Sequence, residues 1–262
     1  MMNAEDRTGF FLLSLDTELG WGYFDCFRRE LFSSGGQRER ETINLILDTL
    51  DEFGVIATWA VVGNFFLNHH KEAGSSPIMD WKERDPVFEE LYESDSPVLY
   101  GADVIENLLT RGTKHEIAFH GYTHRVFLEK TMSSKEARAE IQAWSNIAAR
   151  KKIIPKTAVF PRNKIGYLDL FKEHGFICYR GEELMPGIAT LPVVGRVFRR
   201  FYHFFSLFST PVTYEPQVDR SGLVNLPSSR WLFGFNRRVE RILDGRAVGH
   251  EPVRGGVCPC AV

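Results

Sequence analysis

Residues 115–150 read HEIAFHGYTHRVFLEKTMSSKEARAEIQAWSNIAAR, a short apolar run followed by a long amphipathic stretch. Glu116 to Phe119 is a short run of strand length that ends at a polar residue, His120. Ser133 to Arg150 carries the strongest helical pattern in the chain. Ser133 and Glu136 make a capping box, and Ala137, Ile141, Trp144 and Ala148 form an apolar stripe. A strand followed by an amphipathic helix is one β-then-α unit, and the same alternation extends both ways. Upstream, Phe10–Leu15 is a continuous apolar run, as a strand covered on both faces would be. Gln37–Phe53 has helical spacing at Ile43, Ile46, Leu47, Leu50 and Phe53, with Gly54 at the C-terminal stop. Val55–Val62 reads as a second buried strand, and Gly101–Arg111 as a helix. Asn68–Tyr100 is polar and irregular, an insertion carrying a short helix. Downstream, Thr157–Phe160 and Phe176–Tyr179 read as strands around a helix at Tyr167–His174. Repeated units of this length predict an α/β fold, a parallel sheet or barrel with helices outside. In such folds polar residues directly after buried strands are the ones to examine for chemistry.

Composition bounds the possibilities. The 262 residues are 44% hydrophobic, enough for a substantial core in one large domain or two small ones. A formal net charge of -2 gives no global attraction to nucleic acid, and none is expected as a partner. The four cysteines, Cys26, Cys178, Cys258 and Cys260, form no C-x-x-C pair, which argues against a thiolate zinc site or a disulfide framework. The first apolar run is short, follows two acidic residues and is interrupted by Asp16, so it reads as a strand rather than a signal or a membrane span. The expected location is the cytoplasm.

Three polar clusters stand at predicted strand ends: Asp16-Thr17-Glu18, His120-Gly121-Tyr122-Thr123-His124, and Pro161-Arg162-Asn163. Two histidines four apart can present both imidazoles to one point if the segment turns helically. With one carboxylate they make a common catalytic metal set that leaves positions open for water and substrate. A second carboxylate can take a proton from that water. Asp16 and Glu18 alternate on an extended chain and so share a face. Arg162 is the candidate for keeping the base ionised, because a neighbouring opposite charge lowers a carboxylate pKa. Taken singly, each cluster also has an ordinary structural reading: a surface histidine pair, a turn or helix cap, a solvated arginine. The joint pattern, in this order and at three strand ends, favours the metal reading.

With those residues in view, SLDTE, HEIAFHGYTH and AVFPRNKIG resemble the first three motifs of the polysaccharide deacetylases, carbohydrate esterase family 4, also called the nodulation-protein-B homology domain. GVIATWAVVGNFF resembles the family's second-strand segment. The branch with an Asp-x-Asp/Glu first motif, which includes peptidoglycan-deacetylase-like and allantoinase-like members, is especially similar. The resemblance runs from about Phe10 to Phe176. It implies a distorted (β/α) barrel of about seven parallel strands, incomplete at the C-terminus, over residues 8–244. It implies a divalent metal, zinc first, held by Glu18, His120 and His124. Asp16 matches the catalytic base and Arg162 the arginine that orients it, and the backbone N–H near Ile165 matches the oxyanion donor. The implied substrate is an N-acetylated glycan of cell-wall or exopolysaccharide type, which loses its acetyl groups by metal-assisted hydrolysis. His115, in the segment before the strand, is expected to be structural rather than a ligand.

The chain departs from the family pattern late. Leu223–Pro227 resembles the strand before the last motifs, yet the closing Leu-x-x-His, with its general-acid histidine, has no match. His250 is the one histidine in the irregular 245–262 tail, and its setting differs. The tail's abrupt Gly, Pro and Cys content reads as a disordered or aberrant segment, such as a shifted reading frame. Val193–Val212, aromatic with Arg196, Arg199 and Arg200, reads as an amphipathic helix packed on the barrel or, alternatively, as a helix in peripheral contact with a membrane. Three activities therefore compete: glycan deacetylation, hydrolysis of an allantoin-like amide, and glycan binding by a member that has lost its acid.

Overall fold

The computed structural model describes residues 9–74, 84–182 and 213–229. In chain order the elements are β1 (Ser14–Thr17), α1 (Gln37–Glu52), β2 (Thr58–Val61), α2 (Pro86–Glu93), α3 (Ala102–Thr110), β3 (Glu116–Phe119), α4 (Ser134–Arg150), β4 (Thr157–Ala158), α5 (Leu168–Glu173), β5 (Cys178–Gly181), β6 (Gln217–Val218) and β7 (Val224–Pro227). The strands form one sheet in the order β1-β2-β3-β4-β5-β7-β6, parallel throughout except for the antiparallel β6–β7 pair. The expected α/β architecture with seven strands is present. Two features differ from an all-parallel closed barrel: the antiparallel β6, which is two exposed residues with no sequence pattern, and the lack of pairing between β1 and β6 among the described residues.

The sheet is strongly curled. Five strands at ordinary spacing would put β1 and β5 roughly 19 Å apart in a flat sheet. Yet the Arg180 guanidinium on β5 bonds the Asp16 carboxylate on β1 at 2.7 Å. Only a sheet rolled towards a barrel brings these strands face to face. Register and period-2 alternation put Ser14, Asp16, Thr58, Ala60, Glu116 and Ala118 on this inner face. Glu116 ties it together, accepting from Thr58 Oγ1 at 2.7 Å and Thr157 Oγ1 at 2.5 Å.

The apolar core lies between the other face and the helices. Phe119 meets Trp144 of α4 and Phe171 of α5 edge-on, at centroid separations of 5.6 and 5.0 Å. The indole N–H of Trp144 donates to the Val61 carbonyl at 2.7 Å, which anchors α4 to β2. The capping box at its start forms as the sequence predicts: Glu136 N–H donates to Ser133 Oγ, and Ser133 N–H to Glu136 Oε2 at 2.8 Å.

Two strands, β1 and β5, begin later than the sequence pattern predicts. The first strand begins at Ser14 rather than Phe10, and Phe10 and Phe11 are 86% and 81% exposed. β1 is an edge strand whose pairing starts where Thr58 N–H reaches the Leu13 carbonyl, and apolar character alone does not mark that point. β5 begins at Cys178 rather than Phe176, because Phe176 N–H closes the end of α5 on the Phe171 carbonyl and is not offered to the ladder. That two-residue displacement puts Arg180 inside the strand. No helix among the described residues is long and apolar enough to cross a membrane. The segment 193–212, the 245–262 tail and the end of the expected 8–244 domain lie outside the described residues.

Candidate metal centre

The segment after β3 supplies two imidazoles. It does not turn helically, as four-residue spacing suggested. It is a loop in which Gly121 (φ 76°) and His124 (φ 60°) both adopt left-handed backbone. A Cβ on Gly121 would sit 3.1 Å from His124 N and 3.2 Å from Pro161 Cγ, so glycine suits the position on both counts. The loop is tied to the turn after β2, where Gly63 N–H donates to Gly121 O at 2.9 Å and Asn64 N–H to Tyr122 O at 3.1 Å.

A buried carboxylate, Glu140, braces it from α4, although nothing in the motifs marks that residue. Glu140 is 0% exposed and accepts from Tyr122 N–H at 2.8 Å, Thr123 N–H at 2.9 Å and Thr123 Oγ1 at 2.5 Å. Burial pushes its carboxyl above the ordinary value despite the donors from Thr123 and Tyr122. Its position one residue before Ile141, among the apolar stripe of a helix facing the core, was the available signal.

His120 (1% exposed) and His124 meet Glu18, which follows β1. Glu18 Oε2 lies 2.9 Å from His120 Nε2 and 2.6 Å from His124 Nε2. One donor atom from each of the three residues falls within 4.8 Å of the others, and this is the one such group of His, Cys, Asp or Glu among the described residues. The chemistry of the set fits a divalent cation. His120 Nδ1 lies 2.9 Å from the Val159 carbonyl, which can only accept, so the proton sits on Nδ1 and the Nε2 lone pair points at Glu18. A lone pair facing a carboxylate oxygen needs a cation or a proton between them. The titration directions agree. Burial opposes charge on both partners, yet Asp16 and Glu18 hold His120 above its ordinary value, while His124 and His120 hold Glu18 well below its own.

Asp16 stands beside this trio, its Oδ2 4.0 Å from His120 Nε2 and its side chain 31% exposed. The expected arginine partner is replaced by another. Arg180 donates to both oxygens of Asp16, Nη1 to Oδ1 at 2.7 Å and Nη2 to Oδ2 at 2.9 Å, and also to Ser14 Oγ at 3.2 Å and Asn163 Oδ1 at 3.0 Å. Arg162 instead donates to Asp25 Oδ1 at 2.6 Å and stacks over the Phe24 ring, its Cζ 5.2 Å from the centroid. The physical reason is backbone geometry: Arg162 and Asn163 both have left-handed φ, which sends the arginine towards Asp25 and leaves Asn163 to complete the Asp16 cluster. Arg162 holds Asp25 below the ordinary carboxylate range against the opposing effect of burial.

Non-glycine residues with left-handed φ concentrate here. Leu19, His124, Arg162, Asn163 and Tyr167 all follow or belong to the site clusters, as strained backbone at functional sites often does. Ile165 is part-buried against the core, and its N–H has no acceptor among the described residues. His115 is outside the trio: its Nδ1 accepts from Ala57 N–H at 3.2 Å, and its ring lies edge-on to Trp59.

The family model described as polysaccharide deacetylase matches residues 32–162, a span that takes in His120, His124 and Arg162 and begins after Asp16 and Glu18. Among solved structures, the deacetylase domain of BpsB from Bordetella bronchiseptica is similar over 67% of this chain, at 16% identity and a TM-score of 0.40. The chain spans 64% of that domain's length in the match. No curated protein matches the chain.

Proposed function

We propose that this chain, which belongs to the polysaccharide deacetylase family, hydrolyses the acetamide of an N-acetylhexosamine within a polysaccharide, giving acetate and a free amine. The observation that carries the reading is the meeting of Glu18, His120 and His124 beside a carboxylate, Asp16, that is itself gripped at both oxygens. Glu18, His120 and His124 would hold the cation, zinc by preference of two imidazoles and one carboxylate. When bound, it polarises a carbonyl oxygen and makes water more acidic.

The chain's own residues supply the rest. Asp16 is the general base. Its two bonds from Arg180 fix the orientation of the carboxylate, with Oδ2 4.0 Å from His120 Nε2, and its partial exposure lets water reach it. As Asp16 takes the proton, the water oxygen adds to the acetamide carbon. The C–N bond then breaks as the nitrogen takes up the proton that Asp16 removed from the water. The N–H of Ile165 is the donor for the carbonyl oxygen as negative charge develops there. Glu140 acts at one remove: by holding the loop between the histidines, it fixes both imidazoles.

Metal analysis together with acetate release from N-acetylglucosamine oligomers tests the proposal. The protein should carry one divalent ion and release acetate, and Asp16→Asn should keep the ion and lose the release. Acetate release that survives Asp16→Asn, or a protein that binds no divalent ion, would overturn it. Ring opening of allantoin without acetate would move the reaction to the other amide hydrolases.

A further inference from the structure

A cleft opens next to the metal centre, about 220 Å³ in volume, with Phe24, Asp25, Arg125, Lys130, Arg162 and Lys164 in its walls. Two landmarks place it. Arg125 directly follows His124, and the Phe24 ring, over which Arg162 stacks, lies 6.2 Å from the His124 ring. A sugar bound at the metal centre therefore has this cleft alongside it.

The charges in the cleft do not cancel. Arg162 is paired with Asp25 at 2.6 Å and Arg125 with Glu136 at 3.0 Å. Lys130 and Lys164 have no ion-pair partner among the described residues. The two ion pairs hold the arginine planes in the walls, and the two lysines leave a net positive charge. The chain as a whole is slightly negative, with a formal charge of -2, so this cleft runs against the global balance. A concave surface of one sign concentrates its field and attracts groups of the other. Guanidinium and ammonium donors suit carboxylate and phosphate oxygens.

We infer that this cleft is a subsite for an anionic substituent, carboxylate or phosphate, on the glycan whose acetamide lies at the metal centre. The substrate is then an acidic N-acetylated polysaccharide rather than a neutral one. The inference rests on the deacetylase reading only for the location of the reacting sugar, since the cleft's preference for anions can be measured by binding alone.

The experiment compares equilibrium binding of three oligomers of equal length to the metal-loaded protein: a neutral N-acetylglucosamine oligomer, a hyaluronan fragment carrying carboxylates, and an N-acetylhexosamine oligomer joined by phosphodiesters. At low salt at least one acidic oligomer should bind about five-fold tighter than the neutral one, as two partly screened ion pairs allow. The tighter of the two acidic arms identifies the substituent. Added salt and the double substitution Lys130→Gln with Lys164→Gln should remove the preference, while Lys130→Arg with Lys164→Arg should keep it. Equal binding of all three, or a preference untouched by both salt and the glutamine pair, overturns the inference. Acetate release from the same samples separates the two claims. Anion preference without acetate sinks the deacetylase reading and leaves the subsite, and acetate without anion preference does the reverse.

Discussion

The two sides of the metal centre are built on different principles. On the histidine side, five consecutive residues form a loop that is buried throughout, anchored by backbone bonds to the turn after β2 and by Glu140 from α4. On the carboxylate side, Asp16 and Glu18 stand at an edge strand, about a third exposed, and Asp16 is held by an arginine 164 residues away in sequence. One side is rigid through burial and local bonds, and the other depends on how far the sheet curls. Damage to the first should therefore appear as lost metal and stability, and damage to Asp16 or its arginine on the second as lost turnover with metal retained by Glu18 and the histidines.

The largest effect expected is on the open side. Asp16→Asn should lower acetate release by about 10²–10⁴-fold, as loss of a general base does, with bound metal unchanged in elemental analysis. His120→Ala should break the contrast from the other direction by removing stoichiometric metal, and with it activity. Glu140→Ala strands two N–H groups and a hydroxyl in the interior. It should weaken metal binding about 10–100-fold in competition with a chelator and lower unfolding free energy by about 1–3 kcal/mol in denaturant titration. Arg180→Met should sharpen the comparison. Acetate release falls because kcat falls, while KM and metal content hold, and added guanidinium should restore part of the rate if Arg180 acts by positioning Asp16. An unchanged kcat would show that the ion pair is merely structural.

The smallest effect lies outside the site. Glu136, held by Ser133 and then by Arg125, has its pKa lowered to about 2. A depressed carboxylate stabilises the fold above its unfolded pKa of about 4.3 and loses that contribution as pH falls towards its folded value. Glu136→Ala should thus cost about 1 kcal/mol at neutral pH, as loss of a helix cap does, and the gap from the natural protein should close on acidification.

Legibility in the sequence follows the same division. β3 and α4 were readable almost to the residue, because a capping box, a 3.6-residue stripe and a short apolar run are local signals. The histidine pair and Glu18 were likewise readable as motifs. Glu140 was visible only as a charge in a buried stripe, and the donors it serves are 17 and 18 residues upstream. Arg180 carried no signal at all, since nothing local distinguishes an arginine in a late strand from a solvated one.

From its sequence alone, then, this protein is an α/β chain with two histidines and two carboxylates at the ends of its strands. Which arginine grips Asp16, and that Arg162 turns away to Asp25, were decided only in three dimensions. Side-chain type and spacing are local properties of a chain. The approach of β1 to β5 is set by the curl accumulated over a whole sheet, and the direction of Arg162 by a left-handed backbone that its residue type does not announce.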